Sequence, residues 1–228
     1  MTGFWTGIDD LLRLRGWAAA AAASPRSTRK LGAYAVLFGF TYGAAMGSFG
    51  LFDAARPAGQ LLLQMTYSAV KVPLLLGATC LVALPSFFVI NSLLGLRDDF
   101  RLALRAVVAT QAGVAVTLAA LAPLTVTWYA SSDAYVPAVL FNAAMFAAAS
   151  GSAQVLLRGH YRALVARNPR HRSMMWTWLG LYAFVGIEMG WMLRPFIGSR
   201  DVPVEFFRRE PLDNAYVVVA RIVGELLR

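Results

Sequence analysis

A single carboxylate in this sequence stands where acids are rare. Glu188 is the one acidic residue inside an apolar stretch, 174–193. A central acid costs roughly 2.5–3.5 kcal/mol on membrane-insertion scales, so such residues serve a function or meet a counter-charge. Glu188 lies about 7–8 Å from the nearer end of its stretch, at ~1.5 Å of rise per residue. Lys71 and Arg194 are the basic residues expected near that level, and Asn142 in another apolar stretch has a comparable depth. Two chemistries fit these four residues. One is a proton or cation site using Glu188 with Lys71; the other is a buried ion pair tying two helices together.

Other reactive constellations are incomplete. Asp98 and Asp99 suggest metal-dependent chemistry on a lipid pyrophosphate, but no second acidic cluster completes the site. Acids there also favour the start of the helix that follows. Gly151-Ser152 brings to mind an intramembrane serine protease, yet no histidine falls in another apolar stretch to act as base. His160 and His171 lie outside the apolar stretches, which removes a haem held by two histidines within a bilayer. Cys80 is the only cysteine, so neither an intrachain disulfide nor a cysteine metal cluster is available. The expectation is a protein that is not an enzyme and carries no cofactor or metal.

The elements that must position these residues follow from composition. Of 228 residues, 58% are hydrophobic and 14% charged, and the mean hydropathy is +0.58. A soluble domain has about 25% charged residues. A disordered chain, a coiled coil and a nucleic-acid-binding module are excluded, and an all-α polytopic membrane bundle is expected. Crossing ~30 Å of hydrocarbon takes about 20 apolar residues. Five stretches qualify: 31–52, 72–96, 106–129, 134–157 and 174–193. They form a transmembrane domain over 31–193, flanked by an N-terminal segment 1–30 and a tail 194–228. Residues 1–23 read as an amphipathic interfacial helix, with Trp5, Leu11, Leu12, Leu14 and Trp17 at the head-group boundary. In the tail, 214–228 reads as a second amphipathic helix, or as a sixth span with Arg221 and Glu225 in lipid.

The net charge of +9 comes from 19 Arg and 2 Lys against 12 acids. In a membrane protein this excess marks the cytoplasmic side. The short loops on one side carry eight basic residues and those on the other two, Arg56 and Lys71. The N-terminus is thus expected in the cytoplasm of a bacterium, the protein in its inner membrane, and the C-terminus outside. Arg162, Arg167, Arg170 and Arg172 crowd one cytoplasmic loop, where each attracts anionic lipid by about 1 kcal/mol.

Small residues mark where helices can approach closely. Gly39, Gly43 and Gly47 recur at four-residue spacing on one face, as do Gly186 with Gly190, and the fourth stretch carries Ala144, Ala148 and Gly151. Such stripes replace lipid contacts by helix–helix dispersion contacts. They fit packing inside one bundle, or contact with other membrane subunits or a second copy. Asn91, Gln111 and Gln154, from three stretches, are expected to share interhelical hydrogen bonds. Pro85 and Pro123 are expected to kink their helices.

Three segments carry a resemblance. They are Val70-Lys71-Val72-Pro73 running on to Leu84-Pro85 and Asn91, then Arg167-Asn168-Pro169-Arg170-His171-Arg172, and 184–198 from Phe184 through Glu188 and Arg194 to Gly198. Together they resemble a group of bacterial inner-membrane proteins without an assigned activity. Some members are labelled actin-binding WH2-domain proteins. A WH2 segment needs a soluble amphipathic helix followed by a Leu-Lys-Lys-Thr-like strand, and this sequence has neither. The resemblance implies a bacterial polytopic membrane protein. The functional expectation is a non-enzymatic subunit, scaffold or assembly partner of a membrane complex, with a small transporter or channel built on Glu188 and Lys71 as the alternative.

Overall fold

The computed structural model describes residues 2–13, 25–52, 57–198 and 203–207. Its six helices are α1 (Thr2–Leu12), α2 (Pro25–Gly47), α3 (Ala58–Leu93), α4 (Phe100–Ser131), α5 (Tyr135–Arg167) and α6 (Arg170–Met192). Among the described residues there is no strand. The expected C-terminal helix, 214–228, lies outside the described residues.

Among the described residues three helical segments are long and apolar enough to cross a membrane: Ala58–Leu93, Arg97–Ser131 and Tyr135–Arg167. This corrects the expectation of five spans. All five apolar stretches do form helices, but α2 and α6 have only 23 residues each. Arg26, Arg29 and Lys30 occupy the first turns of α2, and four glycines dilute the rest. In α6, Arg170, His171, Arg172 and Ser173 open the helix and Glu188 breaks its apolar run.

Local sequence explains the boundaries. Pro25 opens α2, where its missing N–H costs nothing and its φ is already helical. The end of α3 is set by Gly95, whose φ of 73° is left-handed. There Leu96 N–H donates to the Asn91 carbonyl at 2.9 Å and Gly95 N–H to Ser92 at 3.0 Å, a Schellman closure. Pro73 and Pro85 lie inside α3 and Pro123 inside α4, and both helices continue through them.

The fourth helix is the hub. It packs mainly on α2 and α5, while α3 packs on α2 and α6. The spanning part of α4 is 61% buried, against 22% for those of α3 and α5. One apolar core gathers Tyr42, Phe49, Val72, Leu118 and Ile197; a second, toward the arginine-rich end, gathers Phe87, Leu157, Tyr161 and Trp178. Helix α1 is not simply interfacial. Ile8 and Leu11 are buried, and Leu11 packs with Leu31, Ala109 and Ala112, while Trp5 and Leu12 stay exposed.

Candidate functional site

The first candidate is a polar joint where α3 meets the chain leaving α6. Helix α3 begins 14 residues earlier than expected, so Lys71 is inside it rather than at its entry. Lys71 is fully buried. Its ammonium donates to the Pro195 carbonyl at 2.6 Å and lies 4.9 Å from the centre of the Phe206 ring. One and two turns back on the same face, Ser68 Oγ donates to the Phe196 carbonyl at 2.5 Å, and Gln64 Nε2 donates to the same oxygen at 3.1 Å. The electrostatics suit a cation, because carbonyls at a helix C-terminus carry partial negative charge.

Glu188 is not part of that joint. Among the described residues it has no hydrogen-bond or ion-pair partner, and it is half-buried. The expected ion pair with Lys71 or Arg194 is therefore replaced by cation–carbonyl and cation–ring contacts. The Arg194 guanidinium lies 3.3 Å from the centroid of its neighbour Trp191. Pro195 and Phe196, which follow α6, offer Lys71 and Ser68 two carbonyl oxygens.

Asn142 sits in a separate triad with two tyrosines. Tyr42 OH donates to Asn142 Oδ1 at 3.0 Å, and Asn142 Nδ2 donates to Tyr129 OH at 2.7 Å and to the Ala138 carbonyl at 2.8 Å. Tyr129 OH donates in turn to the Met46 carbonyl at 3.1 Å. All three side chains are buried. The network links α2, α4 and α5 with every polar group answered, which is what a low-dielectric interior requires.

The glycine stripe on α2 faces α3. A Cβ on Gly43 would strike the Ser68 carbonyl and come within 2.7 Å of Ala69 Cα. One on Gly47 would lie 2.7 Å from Met65 Cα, and one on Gly39 would touch Pro73 at 3.4 Å. A Cβ on Gly186 would touch Thr79 at 3.5 Å, whereas one on Gly190 or Gly151 would meet no neighbouring element within 4 Å among the described residues. Gly190 therefore borders the outer cleft and leaves room for a side chain there.

At the arginine-rich end, Asp99 accepts from Arg167 Nη1 at 3.3 Å and meets His171 Nε2 at 3.1 Å. Arg170 Nη1 donates to the Leu94 carbonyl at 3.2 Å. Arg162 and Arg172 are exposed. Of the four arginines expected at lipid head groups, two are thus tied to the turn between α3 and α4. The three amides do not meet one another. Asn91 Nδ2 donates to Leu96 O at 2.8 Å, Gln111 Oε1 accepts from Tyr182 OH at 2.7 Å, and Gln154 Oε1 is buried without a partner.

Two clefts open between α5 and α6, which touch sparsely. The inner cleft, about 340 Å³, is lined by Thr79, Gln111, Gln154, Trp178 and Tyr182. The outer one, about 640 Å³, reaches Asn142 and Arg194. Leu75, Phe146 and Ile187 line both. Neither is lined by Glu188 or Lys71. Among the described residues no group of three or more His, Cys, Asp or Glu side chains could hold a metal ion.

No family model, curated protein or solved structure matches this chain. What bears on function is the chain's own geometry. Gln64 and Ser68 fall in 53–71, between the first two apolar stretches, where run length alone predicts no helix. Their spacing with Lys71, four and then three residues, was the available signal for a polar helix face. The signal for Tyr42 and Tyr129 is that a tyrosine inside an apolar stretch carries a hydroxyl that needs a partner when buried.

Proposed function

We propose that the protein is a non-enzymatic subunit, scaffold or assembly partner of a membrane complex. The observation that supports this reading is the state of its small-residue stripes. The α2 stripe is consumed within the chain, whereas Ala144, Ala148 and Gly151 on α5 are exposed, with open space beside Gly151. In lipid, such a surface gains dispersion contacts when another helix lies along it. The buried polar groups of the joint and the triad hold the scaffold that presents it. Other subunits or a second copy of the chain are the proposed partners, and anionic lipids the proposed neighbours of Arg162 and Arg172. The proposed setting is a bacterial inner membrane, N-terminus in the cytoplasm and C-terminus outside, with the arginines flanking the α3–α4 and α5–α6 turns facing inward. A transporter built on Glu188 and Lys71 would need the two to share a pathway, and Lys71 is enclosed by Pro195 and Phe206 instead.

The test is Ala148→Leu, which fills the stripe without touching the chain's own core. Purified from native membranes in mild detergent, the wild type is expected to run as a larger assembly and the variant as a smaller species with the same melting temperature. Equal assembly sizes would refute the reading.

A further inference from the structure

The inner cleft between α5 and α6 combines features that a packing defect does not need. Thr79 is 1% exposed, and its hydroxyl has no hydrogen-bond partner. Gln154 Oε1 is likewise buried and unpaired. Both residues line the cleft, and they come from different helices. Buried polar atoms in native proteins are nearly always paired, so two orphans around one cavity point to a missing partner. Gln111 is held in place by Tyr182, whose hydroxyl donates to its Oε1 at 2.7 Å; the amide nitrogen of Gln111 makes no hydrogen bond among the described residues.

The chemistry of the lining narrows the partner. Among the described residues no Asp, Glu, Lys, Arg or His contributes to it, a lining that suits an uncharged molecule. Gln111 and Gln154 offer N–H donors, Thr79 offers O–H, and Gln154 Oε1 is an acceptor. These groups suit carbonyl oxygens together with a hydroxyl. Trp178, Tyr182 and Phe146 are aromatic walls of the same cleft, with the first two rings 5.5 Å apart. Aromatic walls favour a flat ring, by offset or edge contact. Depth adds a constraint. Gln154 is one helical turn from Arg158, about 6 Å, and Gln111 is about 9 Å from Arg105 along its helix. The two glutamines thus lie below the arginine level of their helices, within segments long and apolar enough to cross a membrane. Ala147, Ser150, Ala183 and Ile187 are exposed at the mouth, which opens sideways toward lipid. The adjoining outer cleft continues past Leu75, Phe146 and Ile187 and offers room for an apolar tail.

We propose that the α5–α6 cleft binds a membrane-soluble quinone-class molecule, its ring between Trp178, Tyr182 and the Gln111–Gln154–Thr79 cluster, its tail along the outer cleft. The ring carbonyls accept from the two glutamines and Thr79. A ring hydroxyl, in the reduced form, donates to Gln154 Oε1. The site goes beyond the assembly role and does not depend on it.

The experiment uses the full chain in phosphatidylcholine nanodiscs, titrated with decylubiquinone or with dioctanoylglycerol. Bound ligand is counted after gel filtration, with empty discs subtracted. Decylubiquinone is expected to bind saturably with one molecule per chain. Gly186→Leu projects into the cleft past Thr79 and should weaken binding at least tenfold; Gln154→Leu should weaken it several-fold, the usual effect of one hydrogen bond. Both should melt within a few degrees of the wild type. If Gly186→Leu does not fold, Ala183→Leu at the exposed mouth takes its place. Saturable binding of dioctanoylglycerol alone, no saturable binding of decylubiquinone, or quinone binding that both variants leave unchanged would overturn the proposal.

Discussion

The contact between α2 and α3 and the contact between α5 and α6 solve the same problem in opposite ways. Each pairs a helix of 23 residues with a long spanning one. In the first, glycines bring the backbones together and leave no room even for a methyl group at Gly43. In the second, the helices stand apart around a cleft with orphaned polar atoms. Both helices of the second pair carry glycine, so residue type alone does not decide closeness. What decides is whether the glycine stripe meets a facing ridge. A Cβ on Gly43 would strike Ser68 and Ala69, whereas one on Gly190 would meet no neighbouring element within 4 Å among the described residues.

The sharpest way to break this contrast is to fill both stripes. Gly43→Leu is expected to abolish the folded bundle, or to destabilise it by at least the ~1–3 kcal/mol of ordinary overpacking, because the obstacle is backbone. Gly190→Leu is expected to stay within about 0.5 kcal/mol of the wild type. Thermal melts in detergent compare the two, and equal losses would erase the distinction.

A smaller effect is expected in the polar triad beside α2. Asn142→Leu leaves the Tyr42 hydroxyl without its acceptor and should cost about 1–2 kcal/mol, between the usual penalty for an orphaned group and the values found in membranes. Tyr42→Phe combined with it should cost less than the two changes summed, since the hydroxyl to be satisfied is then absent. Strict additivity would mean that the triad does not act as a unit.

The smallest expected signal is the coupling between Glu188 and Lys71. With no contact between them, the double-mutant cycle of Glu188→Gln and Lys71→Met should return a coupling within about 0.5 kcal/mol of zero. A coupling of several kcal/mol would restore the ion pair that the sequence suggested.

Much of the helical architecture was legible because apolar run length responds directly to membrane thickness. The α2 glycine stripe and the arginine-rich turns stood in the sequence. The span number did not, since α2 and α6 contain enough apolar residues to look like spans but also the arginines, glycines and Glu188 that dilute them. The site was legible only as an inventory. Glu188, Lys71, Arg194 and Asn142 were visible as costly residues, but their pairing was not. Backbone carbonyls are invisible to a search for charged partners, and it is Pro195 O that receives Lys71. The cleft was less visible still, because Gln111 and Gln154 signal an amide's need for a partner without saying whether another amide supplies it.

The joint between α3 and the segment after α6 has a consequence for how the sequence can change. Its three hydrogen bonds end on the carbonyls of Pro195 and Phe196, which every amino acid possesses. A replacement at Arg194 leaves those oxygens in place. One inserted residue between 193 and 195 shifts them by a chain step of about 3.8 Å and unmakes all three bonds at once. The joint therefore gauges length: the segment leaving α6 tolerates spelling changes that it would not tolerate as additions.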